Sequence, residues 1–266
     1  MIALATERGL DEVVEEPSGA GTTIAIVDSG IDPSHPWLAA ATMRHVRVAT
    51  DGPRATVVAC EGGDGSGHGT ACAGIVHRLA PQATLVDVRV LDESGRSSRE
   101  ALVAALRYCV RERFTVVSLS LGIDVPRAAQ LAPSDAKAVL DLYEAADAAY
   151  TARVVLVAAG PNTATFRTYP GRAKALIGVG RGAFADALAL RTELTLDYEL
   201  LAPGIDVLAP ALGGGERRYT GTSFAVPHVT ARVARLRAHD PSLGVDAVKG
   251  ALHALAAASL AATRPS

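Results

Sequence analysis

Three side chains in this sequence could together cleave an acyl bond: the carboxylate of Asp28, the imidazole of His68 and the hydroxyl of Ser223. A serine hydroxyl is a weak nucleophile at neutral pH. It needs a base to take its proton, and the base needs an anion that fixes its tautomer and stabilises the imidazolium. The settings suit those tasks. Asp28 lies in Ile26-Val27-Asp28-Ser29-Gly30, at the end of an apolar run that would bury and hold a carboxylate. His68 lies in Gly67-His68-Gly69-Thr70, where neighbours without a Cβ let the ring approach a substrate. Ser223 lies in Gly221-Thr222-Ser223-Phe224-Ala225-Val226-Pro227 and would open a helix, with Pro227 in its first turn, where a missing N–H costs little. A helix N-terminus aims backbone N–H groups and the positive end of its dipole at the hydroxyl, which supplies one donor for an oxyanion. Taken singly, each residue has an ordinary reading as a turn aspartate, a loop histidine or a helix cap. Taken together, in the order Asp, His, Ser, they point to a nucleophilic hydrolase. Asp32, in the turn that follows, competes with Asp28 but is placed to be more exposed. The remaining histidines lack a glycine frame and read as surface or packing residues, with His228 structural inside the serine helix.

The elements around these residues alternate. Residues 22–27, 85–90, 116–120, 154–158 and 175–179 are short β-branched or apolar runs and read as buried strands. Between them, 70–77, 101–111 and a long segment ending near Thr151 have helical periodicity, and two more helices follow at 223–237 and 245–257. Ser97-Ser98-Arg99-Glu100 fits a capping box and Ser134 a cap. Strands that alternate with helices predict one mostly parallel sheet with helices on both faces. Asp28 then ends a strand at the edge where such sheets bind ligands. Residues 1–20 read as a polar lead-in and 21–266 as a single catalytic domain.

The match to a known family extends beyond these three residues. Val117-Ser118-Leu119-Ser120-Leu121-Gly122, Val157-Ala158-Ala159-Gly160, Tyr169-Pro170-Gly171 and Leu201-Ala202-Pro203-Gly204 resemble further signatures of the subtilisin-like serine proteases, the subtilases. The resemblance implies a three-layer α/β fold with a seven-stranded parallel sheet, and endopeptidase cleavage through an acyl-enzyme. It implies an extended peptide or protein substrate pairing with backbone near residues 118–120 and 94–97. Ser118, Leu119, Ser120 and Gly122 then border one side of the specificity pocket, and Ala158, Ala159 and Gly160 the other.

The chain departs from the family in several places. Where the family carries an oxyanion-binding Asn after Ala-Ala-Gly, this chain has Pro161, which has no N–H, and then Asn162, which is expected to replace it. The stretch after His68 lacks the inserted loop that binds calcium in secreted relatives, and no cluster of oxygen ligands is seen, so no metal and no cofactor are expected. Cys72 resembles the free cysteine near the catalytic His of some members and reads as a buried apolar residue. Phe224 stands where relatives carry Met and should crowd the leaving-group side. Arg96, Arg99 and Arg167 fall near the expected substrate positions, where they would favour acidic residues.

Whole-chain properties narrow the setting. The 266 residues are 49 % hydrophobic and 20 % charged with a net charge of −2, which suggests neither nucleic acid nor an anionic membrane as a partner. No apolar run approaches a membrane span, the start does not look like a secretory signal, and the three cysteines are odd in number. A cytoplasmic protein with reduced thiols is expected. A dedicated processing protease, for example one trimming the leader of a ribosomally made peptide, fits the small size. A peptide ligase or macrocyclase and a peptide-binding pseudoprotease are the rival readings.

Overall fold

The computed structural model describes residues 18–52, 54–92 and 95–262. Most of the expected lead-in (residues 1–17) and Ser94 of the expected substrate edge lie outside them. The main sheet contains β1 (Thr23–Asp28), β2 (Met43–Asp51), β3 (Arg54–Ala59), β4 (Thr84–Arg89), β5 (Val116–Leu119), β6 (Val155–Ala159), β7 (Ile177–Gly182), β8 (Arg191–Thr192) and β9 (Leu200–Pro203). Its order is β8-β9-β7-β6-β5-β1-β4-β2-β3. The seven strands from β9 to β2 run parallel. Two antiparallel strands, β8 and β3, extend the sheet at its edges, so it has nine strands where seven were expected.

The layers follow from alternation along the strands. In β1, Ile24 and Ile26 face a core shared with α1 (His68–Leu79), α4 (Thr222–His239) and α5 (Val245–Ala262). Ala25 and Val27 face the opposite core, shared with α2 (Arg99–Arg111) and α3 (Pro133–Thr151). Both faces are therefore covered, as strands of continuous hydrophobicity require. The edge strand β3 breaks the pattern with its exposed and half-buried residues, which is why periodicity did not reveal the β2–β3 hairpin.

Helix starts differ from the expected ones by a residue or two. Ser98, not Ser97, caps α2, accepting the Ala101 N–H at 3.0 Å. Glu100 is thereby left in the first turn, where it complements the dipole instead of closing a capping box. In α3, Pro133 takes the first position after Ala132, and Ser134 lies inside the helix. Proline suits that position because its missing N–H would have no partner there anyway.

The connectivity opens the crevice. The chain passes from β1 through the β2–β3 hairpin to β4 on one flank, then enters β5 on the other flank of β1. Connections leave the C-terminal ends of β1 and β5 in opposite directions, which makes this the switch point where open parallel sheets bind ligands.

Candidate active site

Asp28 is the last residue of β1 and is only 1 % exposed. Its Oδ1 accepts the Ser29 N–H at 2.7 Å and the His68 Nδ1–H at 2.7 Å. His68 opens α1, and its ring stays 29 % exposed, leaving Nε2 as the nitrogen available to take a proton. The negative charge of Asp28 raises the pKa of His68 above its ordinary value. Burial opposes this, and Asp64 adds to it from farther away. Gly69 lets the two elements meet, since a Cβ there would stand 2.2 Å from the Gly30 carbonyl oxygen and 3.1 Å from Asp28 Cβ. Asp32 is occupied elsewhere, accepting the Ser34 N–H at 2.9 Å and the Ser34 hydroxyl at 2.6 Å.

Sequence reasoning missed Asp64, which fastens the histidine loop. Its Oδ1 accepts the Ser29 hydroxyl at 2.8 Å and the Gly67 N–H at 2.9 Å. Its Oδ2 accepts the Thr70 N–H at 2.9 Å and the Thr70 hydroxyl at 2.7 Å. The available signal was an acid four residues before His68, ahead of a helix start that favours negative charge. Burial alone would raise the Asp64 pKa, but the hydrogen bonds from Thr70, Gly67 and Ser29 outweigh it and hold the pKa below the ordinary value. A group so depressed stabilises the fold above its unfolded pKa, and that contribution is lost as pH falls through the folded value. Asp64→Asn is therefore expected to melt lower than wild type at neutral pH, with the two melting temperatures converging in acid. The acid limb of its kcat/KM profile should also move to lower pH, because a charge that raises the His68 pKa is gone. Thermal melts across pH and the rate profile check both.

Ser223 is the second residue of α4, after Thr222, and Gly221 is the N-cap. Its hydroxyl donates to the Ser120 carbonyl at 2.8 Å, and no hydrogen bond joins it to His68. The Ser223 carbonyl accepts the Ser120 hydroxyl at 2.9 Å, so the two serines hold each other. This second bond explains Pro227. The proline lies in the sixth position of the helix, not in its first turn, and its missing N–H deprives the Ser223 carbonyl of the usual i+4 donor. Ser120 supplies the replacement, and the Cys72 thiol approaches the same oxygen at 3.6 Å. The Ser223 N–H has no acceptor among the described residues, whereas the Thr222 N–H is taken by Asn162 and the Phe224 N–H by Gly221.

Phe224 ties the serine helix to the histidine. It is stacked on Tyr219 at 4.6 Å and tilted against the His68 ring at 5.3 Å between centroids. It is buried and buttresses the imidazole from the side, so the expected crowding of the leaving group does not describe its packing. Cys72 is fully buried, and that burial pushes its thiol pKa well above the ordinary value. Among the described residues, Asp28, His68 and Cys72 form the one His/Cys/Asp/Glu group whose donor atoms converge, within 4.8 Å of one another. His68 Nδ1 already donates to Asp28 there.

Several expected binding residues lie elsewhere. Ser118 and Leu119 sit in β5, paired to β1 on one side and β6 on the other, so their backbone has nothing left for a peptide. Ala158 and Ala159 are likewise buried in β6 and paired within the sheet. Gly160 donates its N–H to the Val179 carbonyl at 2.8 Å and packs on Tyr198, 2.8 Å from where its Cβ would stand. Ser120, Leu121 and Gly122 are the residues that leave the sheet after β5. Arg99 is ion-paired with Asp135 on α3. Arg167 donates to the carbonyls of Ala129 at 2.7 Å and Pro126 at 3.4 Å. Arg96 lines a cavity of about 290 Å³ together with Arg47 and Arg89.

Asn162 is exposed beside the first turn of α4. Its side-chain oxygen accepts the Thr222 N–H at 2.9 Å, which turns its amide NH2 away from that donor.

The comparisons with known proteins agree with this architecture. A family model described as the Subtilase family matches residues 19–264. An intracellular serine protease of Paenibacillus polymyxa is 28 % identical over 86 % of this chain and 72 % of the relative. Subtilisin NAT of Bacillus subtilis subsp. natto is 28 % identical over 85 % of this chain, which spans only 58 % of that relative's length. Sphericase superposes with a TM-score of 0.72 at 24 % identity, covering 92 % of this chain and 88 % of its own. The prenylagaramide maturation protease PagA superposes with a TM-score of 0.65 at 23 % identity, covering 86 % and 80 %. With nearly its whole described length matched, the chain belongs to the subtilase family of subtilisin-like serine endopeptidases.

Proposed function

We propose that this chain hydrolyses peptide bonds with Ser223 as nucleophile, His68 as general base and acid, and Asp28 as the anion that orients His68. The Asp28–His68 hydrogen bond of 2.7 Å, with Phe224 of the serine helix packed 5.3 Å from the His68 ring, carries this reading. The Ser223 hydroxyl would turn about χ1 from the Ser120 carbonyl to His68 Nε2, a move between staggered wells. It would give its proton to Nε2 as it attacks the substrate carbonyl. The imidazolium then protonates the leaving amine, and water attacks the acyl-enzyme with His68 again as base. The Ser223 N–H and the Asn162 amide would hold the oxyanion. Asn162→Ala is expected to lower kcat about 100-fold with KM little changed, measured by steady-state kinetics on a fluorogenic peptide.

The substrate would be an extended peptide laid along the backbone that leaves the sheet at residues 120–122, a mode that tolerates many sequences and leaves preference to pockets. A dedicated intracellular processing role is the reading, supported by the similarity to an intracellular serine protease and to a maturation protease. The cysteines Cys60, Cys72 and Cys109 are unpaired, which supports a reducing, cytoplasmic setting. No helix among the described residues is long and apolar enough to cross a membrane.

Labelling with a fluorophosphonate, followed by peptide mapping, tests the nucleophile, and product masses test the reaction. Label on Ser223 and products heavier in sum by one water support the proposal. A product without added water makes the chain a ligase or macrocyclase. Peptide binding without label, with Ser223 still held by Ser120, makes it a binding protein.

A further inference from the structure

Pro161 removes a backbone donor at the point where β6 leaves the sheet, and the side-chain amide that follows it is that of the exposed Asn162. An exposed amide on a loop is a poor catalytic donor unless something fixes it. Arg181 does so from the neighbouring strand. Its Nη2 donates to the Asn162 backbone carbonyl at 3.2 Å, and its Nη1 approaches the Asn162 side-chain oxygen at 3.5 Å. With the Thr222 N–H on that same oxygen at 2.9 Å, both oxygens of Asn162 face donors. The amide NH2 of that side chain is left for an incoming acceptor.

The reach of Arg181 is built into the fold. In the β6–β7 register Val179 is opposite Ala159, which puts Arg181 just beyond the strand end that leads to Asn162. Its stem passes Gly204, where a Cβ would stand 2.7 Å from Arg181 Cβ and 2.9 Å from the Gly221 carbonyl oxygen. Gly204 also accepts the Gly221 N–H at 2.8 Å, so Arg181, Gly204, Asn162 and the start of α4 form one packed junction. Among the described residues no carboxylate pairs with Arg181. The two contacts use the guanidinium as a planar fork between two acceptors, which a lysine cannot reproduce.

We infer that Arg181 is a positioning residue that fixes the Asn162 amide toward the oxyanion and so compensates for Pro161. This rests on the protease reading above.

The test compares Arg181→Ala, Arg181→Lys, Asn162→Ala and the double variant Arg181→Ala/Asn162→Ala. The readouts are kcat and KM on one fluorogenic peptide and the rate of fluorophosphonate labelling. Arg181→Ala is expected to lower kcat and the labelling rate about tenfold while KM stays within about threefold. Arg181→Lys should recover only part of the loss. The double variant should be no slower than Asn162→Ala, because the arginine acts through the asparagine. Unchanged kcat in Arg181→Ala overturns the inference while the protease reading stands. So do multiplying losses in the double variant, or a raised KM with normal labelling. If Arg181→Ala fails to fold, Arg181→Lys decides alone: full wild-type kcat and labelling overturn the inference, and a partial loss supports it. A wild-type chain that neither labels nor cleaves peptide overturns the protease reading and this inference with it.

Discussion

Ser223→Ala is expected to lower peptide turnover by about 10⁶-fold, the largest loss of any single substitution in this chain. The hydroxyl is the atom that would form the acyl-enzyme, and no other hydroxyl or thiol can replace it. Ser120 has its oxygen engaged with the Ser223 carbonyl, and Cys72 is buried with its thiol pKa pushed up. The cost to the fold should be small. The substitution removes one hydrogen bond, the one to the Ser120 carbonyl, while the reciprocal bond from Ser120 survives. A single neutral hydrogen bond contributes about 1 kcal/mol. The variant should therefore melt within a few degrees of wild type and still bind substrate peptide. Product quantification by mass spectrometry and a thermal melt check both. Turnover within tenfold of wild type would show that another group attacks.

Asp28→Asn should lower kcat by about 10⁴-fold with KM little changed. Asp28 Oδ1 accepts both the Ser29 N–H and the His68 Nδ1–H. An asparagine with its oxygen at the Oδ1 position still accepts both N–H groups, so its cost there is the lost charge; one flipped about χ2 sets its NH2 against Nδ1. That forces the proton onto Nε2, the nitrogen that must receive the serine proton. The charge goes too, and with it the main reason that the His68 pKa is raised. The acid limb of the residual kcat/KM profile should move to lower pH. The stability consequence has a definite sign. A histidine with a raised folded pKa contributes stability fully present below its unfolded pKa of about 6.5, and loses that contribution as pH rises through the folded value. Asp28→Asn should thus be more destabilised, relative to wild type, in mild acid than at alkaline pH. Rate profiles and melts at several pH values measure these effects. An unshifted acid limb would assign that titration to another group.

The parts of the fold that could be read from the sequence are those where local chemistry and tertiary burial agree. The run ending at Asp28 is apolar, β-branched and central in the sheet, so its pattern and its place coincide. The β2–β3 hairpin could not be read the same way, because its edge strand alternates weakly and is largely exposed. Site residues divide along a similar line. His68 and Ser223 stand in glycine-framed segments that announce themselves. Asp64 does not, since its role consists of accepting from Ser29, Gly67 and Thr70, and the Ser29 partner is assembled only by folding. Ser118 and Leu119 were placed too early because the resemblance does not say where β5 ends. The sheet does, with Leu119 opposite Val27 and Ala158 as the last paired residue. Pro227 was read by its distance from Ser223 alone. Its effect became visible only when the carbonyl that it orphans was found in contact with Ser120.

The position of α4 has a consequence for durability. From Phe224 to Leu236 every residue of that helix is buried, and it touches both α1 and the strands of the central sheet. Ser223 is mounted at one end of this enclosed rod, not on a surface loop. Fraying of the periphery leaves such a mount in place, so the Ser223 oxygen keeps its seat until the packing around this helix gives way. Catalytic competence and global cohesion are in that sense a single property of this protein.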